Sequence, residues 1–125
     1  MKRIIKTDKA PGAIGPYSQA IEFGNMLFCS GQTPLDPLTG KLVDGGVDVQ
    51  AEQVLQNVKG LLEGAGYSLN DVIKATVFAR SMNDFAIVNE IYGKYFSKDH
   101  PARSFVEVSG LPKDALVEIE VIAAK

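Results

Sequence analysis

Two segments in the last quarter of the chain alternate apolar and polar side chains with the period of two that a β-strand requires. They are residues 103–108, which begin with Arg103, and residues 116–123, which carry Glu118 between valine and isoleucine. The segment between them, residues 109–115, is rich in turn-forming glycine, proline and aspartate. The pattern predicts an antiparallel hairpin with Arg103 and Glu118 on one face.

The charges on this predicted hairpin have two interpretations. They are solvated side chains on the wet face of a half-buried sheet, or they form a ligand site. With the turn centred on Pro112 and Lys113, Glu118 lies opposite Glu107, and Arg103 is ~13 Å further along. Arg103 is then free to hold a carboxylate, for which its planar fork of donors is suited. A nearby Glu107 would raise the pKa of Glu118.

An earlier hairpin is predicted around Gly24-Asn25, a pair that favours tight two-residue turns, with strands at residues 20–23 and 26–30. Tyr17 precedes this hairpin, and Ser30-Gly31 stands at its far end. Side chains and backbone N–H groups at such strand ends can reach a ligand. Tyr17 as an amphipathic rim residue and Ser30 as a satisfied hydroxyl fit the sequence equally well.

Apolar residues at helical spacing predict a first helix of about four turns, covering residues 51–65. Asp48 is a suitable N-cap, and Gly64 and Gly66 end the helix. Residues 72–80 follow as a strand rich in β-branched and aromatic side chains.

A second helix is predicted after Asn83-Asp84, with a buried stripe formed by Phe85, Val88, Tyr92, Tyr95 and Phe96. Asn89 lies beside that stripe, so its amide is either structural or directed into a site. The only histidine, His100, follows in a loop, with no cysteine or carboxylate at ligand spacing. No metal site is therefore expected there.

The predicted order is strand, hairpin, helix, strand, helix, hairpin, which indicates an α+β fold with two helices on one face of a mixed sheet. Residues 26–29 and 72–78 are largely apolar on both sides. The second face of the sheet should therefore be buried as well, and a chain with only two helices must cover it with copies of itself. The patterning predicts a homo-oligomer.

Composition limits the remaining possibilities. The 125 residues suffice for one domain, residues 1–125, that folds without metal or disulfides. The net charge of −2 gives no electrostatic footprint for nucleic acid, and no stretch has the length of a signal peptide or membrane span. The single Cys29 cannot form an intrachain disulfide, so the cytoplasm is the expected location. Its apolar neighbours favour a buried core thiol over a nucleophile.

Five motifs together resemble one family from end to end: APGAIGPYSQA, GNMLFCSGQ, DVIKATVF, PARSFVEV and LPKDALVEIE. They are similar to those of the reactive intermediate deaminase family, the RidA/YjgF group. The resemblance implies a chorismate-mutase-like α+β fold and a homotrimer with ligand clefts between subunits. It also implies hydrolysis of 2-imino acids, such as 2-iminobutanoate and 2-iminopropanoate, to 2-oxo acids and ammonia.

The resemblance assigns roles to particular positions. It implies that Arg103 in PARS binds the substrate carboxylate and that Glu118 in VEIE positions the attacking water. The family's other site positions fall on Tyr17 in GPYSQ, Ser30 and Gly31 in CSGQ, and Asn89 in IVNEIY. This chain departs from the family at Phe105, where well-studied members have cysteine, so the bulkier ring changes the width of the pocket.

No cofactor motif is present or needed, because an imine carbon is already electrophilic and requires mainly orientation and a placed water. One alternative is a protein that binds or senses small 2-oxo acids without turnover. Pure carboxylate binding gains nothing from a nearby Glu118, which favours the enzyme. The other alternative, a ribonuclease or translation inhibitor, is opposed by the acidic balance and the absence of a histidine pair.

Overall fold

A six-stranded mixed sheet with two α-helices on one face forms the computed structural model, which describes residues 1–125. The strands are β1 Arg3–Ile5, β2 Ala20–Phe23, β3 Met26–Cys29, β4 Val72–Ala79, β5 Ala102–Glu107 and β6 Val117–Ala124; the helices are α1 Val47–Gly64 and α2 Phe85–Tyr95. The strand order is β1-β2-β3-β6-β4-β5, with β4 and β5 parallel and every other pair antiparallel. The predicted α+β class is confirmed.

Helix α1 packs its apolar stripe against β6 and α2, and it begins two residues earlier than an N-cap at Asp48 implies. Its N-cap is Gly46 in extended conformation, and Asp48 lies inside the first turn without capping the helix through its side chain. Asp48 as the N-cap was therefore wrong, although an acidic residue in the first turn still suits the helix dipole. Gly66 follows the helix with φ 86°, a left-handed conformation that glycine adopts readily.

Helix α2 is preceded by a short 3₁₀ turn at Met82–Asp84. Asp84 occupies the N-cap position but makes no side-chain cap hydrogen bond, while the hydroxyl of Ser81 accepts from the backbone N–H of Asn83. Glu107 on β5 accepts from the backbone N–H of Met82 at 2.8 Å. The carboxylate of Glu107 therefore satisfies a donor of this turn and fixes the start of the helix against β5.

The predicted hairpin between the last two strands is wrong, because β4 lies between β5 and β6 and pairs with both. The cause is the connection through α2. A strand, a crossover helix and a second strand form a βαβ unit, which places β4 and β5 side by side and parallel. The segment after β5 must then pass β4 to reach the free edge on the other side.

This register places on opposite faces the two charged residues that the predicted hairpin had on one face. Arg103 pairs with Ala75, and Glu118 pairs with Phe78, three positions further along β4. Since successive residues of a strand face opposite sides, Arg103 lies on the helix side and Glu118 on the uncovered side. Glu107 pairs with Ala79 and does not stand opposite Glu118.

Buried amide side chains tie the loops of the first half to the core. Gln19 is 5% exposed, and its amide donates to the carbonyl of Thr7 and accepts from the backbone N–H of the same residue. Asn57 on α1 is 1% exposed and donates to the carbonyls of Thr33 and Leu35. Because each such bond satisfies a buried polar group, these loops are held in one position.

The second face of the sheet carries large apolar side chains that the single chain does not cover. Ile4 is 54% exposed, Phe23 57%, Phe28 43% and Val106 40%. Together they extend from the first strand to the last edge strand, β5. Exposure of several such side chains on one surface is typical of an interaction face. No helix in the chain is both long enough and apolar enough to span a bilayer.

Cys29 should behave as a structural thiol. Burial raises its pKa to about 12, so only about one thiol in ten thousand is ionised at pH 8. We expect a disulfide reagent to modify the folded protein many-fold more slowly than the protein in denaturant. Cys29→Ala should lower the free energy of unfolding by about 1 kcal/mol through lost packing. Equal modification rates in the two states would contradict a buried thiol.

Candidate functional site

A pocket of about 550 Å³ opens where β3 ends beside the start of β6. Its lining includes four of the residues singled out in the sequence, which are Tyr17, Ser30, Gly31 and Glu118, together with Lys113 and Glu120. We refer to it as the Glu118 pocket. Residues from distant parts of the chain therefore meet at one place on the uncovered side of the sheet.

The backbone beyond β3 brings Gly31 against Glu118. Gln32 and Ile119 exchange two backbone hydrogen bonds of 2.8 and 3.1 Å, which continue the antiparallel ladder past the end of β3. A Cβ added to Gly31 would collide with Oε2 of Glu118 and stand 2.9 Å from its Cδ. The carboxyl group of Glu118 therefore lies directly over the Gly31 backbone, and only glycine leaves room for it.

The hydroxyl of Ser30 is partly committed within the chain. Its Oγ donates to the carbonyl of Ser18 at 2.6 Å, and its backbone N–H donates to the carbonyl of Gln19 at 2.9 Å. The hydroxyl proton is therefore already donated within the chain. The lone pairs of Oγ remain available to accept a hydrogen bond from a ligand. Tyr17 is 51% exposed, so its ring presents both an apolar surface and a hydroxyl to the pocket.

Glu118 is the half-buried acid of this pocket. Burial raises the pKa of its carboxyl group, and Glu120, two residues along on the same face, raises it further. Glu107 does not contribute, and the expectation that it would was wrong because the predicted hairpin does not form. A carboxyl group with a raised pKa exchanges protons closer to neutral pH, which suits a residue that handles water.

Arg103 lies in a separate group of side chains at the β5 edge, on the helix side of the sheet. Its Nη1 donates to Oδ1 of Asn89 on α2 at 2.8 Å. Its guanidinium carbon stands 4.8 Å from the ring centroid of Tyr92 and 5.6 Å from that of Phe105. Phe105 in turn packs edge-to-face on Phe85 at 4.7 Å. Cation–π contacts and one hydrogen bond thus fix the guanidinium, while its other donors stay free.

The single chain therefore divides the candidate residues into two groups. Arg103, Asn89 and Phe105 form the clamp group at the β5 edge, and the remaining four residues belong to the Glu118 pocket. The sequence did not single out Tyr92 as a support for Arg103, since at helical spacing it marks only a core stripe. Groups of three or more His, Cys, Asp or Glu that could hold a metal are absent, and His100 is exposed.

The sequence and the α+β fold together match a known class of proteins. The sequence profile described as Endoribonuclease L-PSP covers residues 7–125. The chain belongs to this family, which includes the RidA/YjgF group of reactive intermediate deaminases.

Similar proteins span the whole chain. A RutC family protein of Pyrococcus horikoshii is 60% identical over 100% of this chain and 99% of its own. "Putative reactive intermediate deaminase TdcF" of Escherichia coli K12 is 48% identical over 100% of this chain and 98% of its own. The crystal structure of E. coli TdcF with bound serine has a TM-score of 0.94 at 48% identity and covers 98% of both chains.

The origin of the raised Glu118 pKa can be tested directly. Glu120→Gln removes the like charge and should lower the pKa of Glu118, whereas Glu107→Gln should leave it unchanged. Carbon-13 NMR titration of the glutamate carboxyl groups measures both variants. Equal responses to the two substitutions would contradict the strand order described above.

The free energy of unfolding should depend on the ionisation of the Glu118 carboxyl group. Because the folded pKa of Glu118 is raised above 4.5, the folded state retains a proton that the unfolded state releases. Stability is therefore lost as the pH rises from 4.5 through the folded pKa. Glu118→Gln has no carboxyl group to ionise and does not undergo this loss. The thermal midpoint of the variant minus that of the wild type should therefore be larger at pH 7 than at pH 4. A constant difference across this range would argue against a perturbed Glu118.

Proposed function

We propose that the protein is a hydrolytic deaminase that converts 2-imino acids, or their enamine tautomers, and water into 2-oxo acids and ammonia without a cofactor. The Glu118 pocket carries this proposal, because a half-buried acid with a raised pKa stands beside residues that can bind a small polar ligand. The name of the TdcF relative supports the reaction class. The serine bound to TdcF supports a ligand with an α-carboxylate and a nitrogen substituent.

The active form in this proposal is a homotrimer with the site between subunits. Arg103 and Glu118 of one chain face opposite sides of the sheet, so one chain cannot close both around one small molecule. The apolar side chains on the uncovered face need a covering layer, and a second copy would supply it. A neighbouring subunit could then bring its clamp group to the mouth of the Glu118 pocket.

Within such a site each residue has a distinct task. Arg103 binds the substrate carboxylate through the donors that Asn89 leaves free. Glu118 orients the water that attacks the protonated imine carbon, takes a proton from it as the C–O bond forms, and returns that proton to the amino nitrogen of the carbinolamine. The carbinolamine hydroxyl then gives its proton to Glu118 as the C–N bond breaks, which releases ammonia and leaves the 2-oxo acid. The lone pairs of Ser30 accept from the imine N–H, while Tyr17 and Phe105 limit the space around the side chain.

The two alternatives are less well supported. A 2-oxo acid sensor needs the arginine clamp, but it gains nothing from a carboxylate such as Glu118 in the pocket. A ribonuclease finds support in the family description. However, Glu118 and Glu120 both line the pocket, Lys113 is the only cation there, and such a surface repels phosphate. The deaminase therefore accounts best for the chemistry of the site.

Two substitutions separate substrate binding from turnover. Arg103→Lys keeps the charge but loses the planar fork, so the affinity for 2-oxobutanoate should fall about ten- to hundred-fold. Glu118→Gln keeps the shape, so the same ligand should bind at least as well, while imine hydrolysis falls by about 10²-fold. Calorimetry measures binding. Release of 2-oxo acid from a threonine dehydratase reaction, with a trap for free imine, measures turnover.

Arg80→Lys and Glu63→Gln provide matched controls, because neither residue belongs to the clamp group or the Glu118 pocket. Both should retain wild-type binding and turnover. Wild-type hydrolysis by Glu118→Gln would rule out Glu118 as the water-positioning residue. Binding without any turnover by the wild type would favour the sensor instead.

A shared site predicts complementation between inactive variants. Light scattering should give three times the 13.4 kDa mass of the chain. When Arg103→Ala and Glu118→Gln chains are unfolded together in equal amounts and refolded, random mixing should restore about a quarter of wild-type activity. Each variant refolded alone should remain inactive. Absence of recovery in verified mixed trimers would place both residues in one chain's site and overturn the shared arrangement.

A further inference from the structure

The turn before β6 contains the only two consecutive left-handed residues that are not glycine. Lys113 has φ 58° and Asp114 has φ 57°. The left-handed conformation is sterically unfavourable for residues with a Cβ atom. Such strain persists where the surrounding structure enforces it, often next to functional sites. Here the strained Lys113 lines the Glu118 pocket.

The turn is held firmly enough to keep this strain. The backbone N–H groups of Asp114 and Ala115 donate to the carbonyls of Leu111 and Pro112, each at 3.1 Å. Ala115 is fully buried and anchors the turn to the core. The Lys113 side chain extends from this anchored turn towards the loop at Gly40. The backbone from which this side chain extends is therefore fixed by the turn.

Lys113 differs in charge from the two acidic residues that line the same pocket. Two carboxylates, Glu118 and Glu120, line the pocket, and Lys113 is the only cation among its lining residues. Lys113 forms no ion pair, since the one salt bridge of the chain joins Arg3 and Glu22. Its Nζ only approaches the Gly40 carbonyl, at 3.4 Å. The positive charge thus stands beside the pocket without a carboxylate partner.

An anionic substrate must approach this pocket against the field of two carboxylates. A cation at the mouth offsets that field and raises the local concentration of anions. We propose that Lys113 is a positioning residue that attracts the substrate carboxylate to the mouth of the Glu118 pocket, before Arg103 of a neighbouring subunit binds it. This role rests on the proposed deaminase and adds to it a residue that acts on substrate entry and not on the chemical step.

Charge substitutions at Lys113 test this role through the salt dependence of turnover. At low ionic strength Lys113→Gln should lower kcat/KM about two- to fivefold, and Lys113→Glu should lower it further, with kcat unchanged. At about 0.5 M NaCl both variants should approach the wild type, because salt screens exposed charges. Lys59→Gln on the exposed face of α1 changes the net charge equally and should show no such loss.

Lys113→Gly tests whether a loss of kcat/KM in the other variants comes from misfolding. Glycine adopts a positive φ readily, so this variant should be at least as stable as the wild type in thermal unfolding. It should nevertheless show the same salt-dependent loss of kcat/KM as Lys113→Gln. Wild-type kinetics in Lys113→Gly at low salt would overturn the proposal. A salt-independent fall in kcat would do the same, because it would assign Lys113 to the chemical step.

Calorimetry with 2-oxobutanoate separates this proposal from the proposed function. If the wild type binds this anion but hydrolyses no imine, the deaminase fails, and weaker low-salt binding by Lys113→Gln would still support Lys113. If the wild type hydrolyses imines and the Lys113 variants match it at low salt, only the role of Lys113 fails. If the wild type neither binds nor turns over, both are overturned.

Discussion

The alternation of side chains along β6 constrains the rest of the structure. Its inward set, which includes Val117, Ile119 and Val121, is buried beneath the helices, and its outward set begins with Glu118 and Glu120. A shift of the strand by one residue would exchange the two sets and place carboxylates in the core. The packing that stabilises the helix layer therefore also fixes which side of the sheet receives the acidic residues.

The clamp group depends on the same sheet at its β5 edge. Because β5 is parallel to β4, the helix between them returns over the sheet and brings Asn89 and Tyr92 onto Arg103. The guanidinium is already oriented in the single chain. Assembly would then join two preformed halves, so little ordering of side chains would oppose binding.

Local patterns predicted the elements well, but not which strands are neighbours. The spacing of apolar residues located α2 and the strands at 72–80 and 116–123 to within a residue or two, and it placed the end of α1 equally well. The hairpin predicted between β5 and β6 does not form, because β4 pairs with both of these strands. No local feature of residues 109–115 indicates that β4 lies between them. Within the candidate site, motif resemblance identified residues that do gather in the Glu118 pocket. It could not separate them from Arg103, because the face of a residue depends on non-local pairing.

The central place of β6 also has a consequence for the edges of the sheet. β3 and β4 are both neighbours of β6 and do not touch each other along the ladder, and Leu27 pairs with Ala123 across most of the sequence. Without β6 the sheet would consist of two unconnected halves with open edges. Such edges pair readily with other chains. The last strand therefore closes both halves at once and removes two open edges from the sheet.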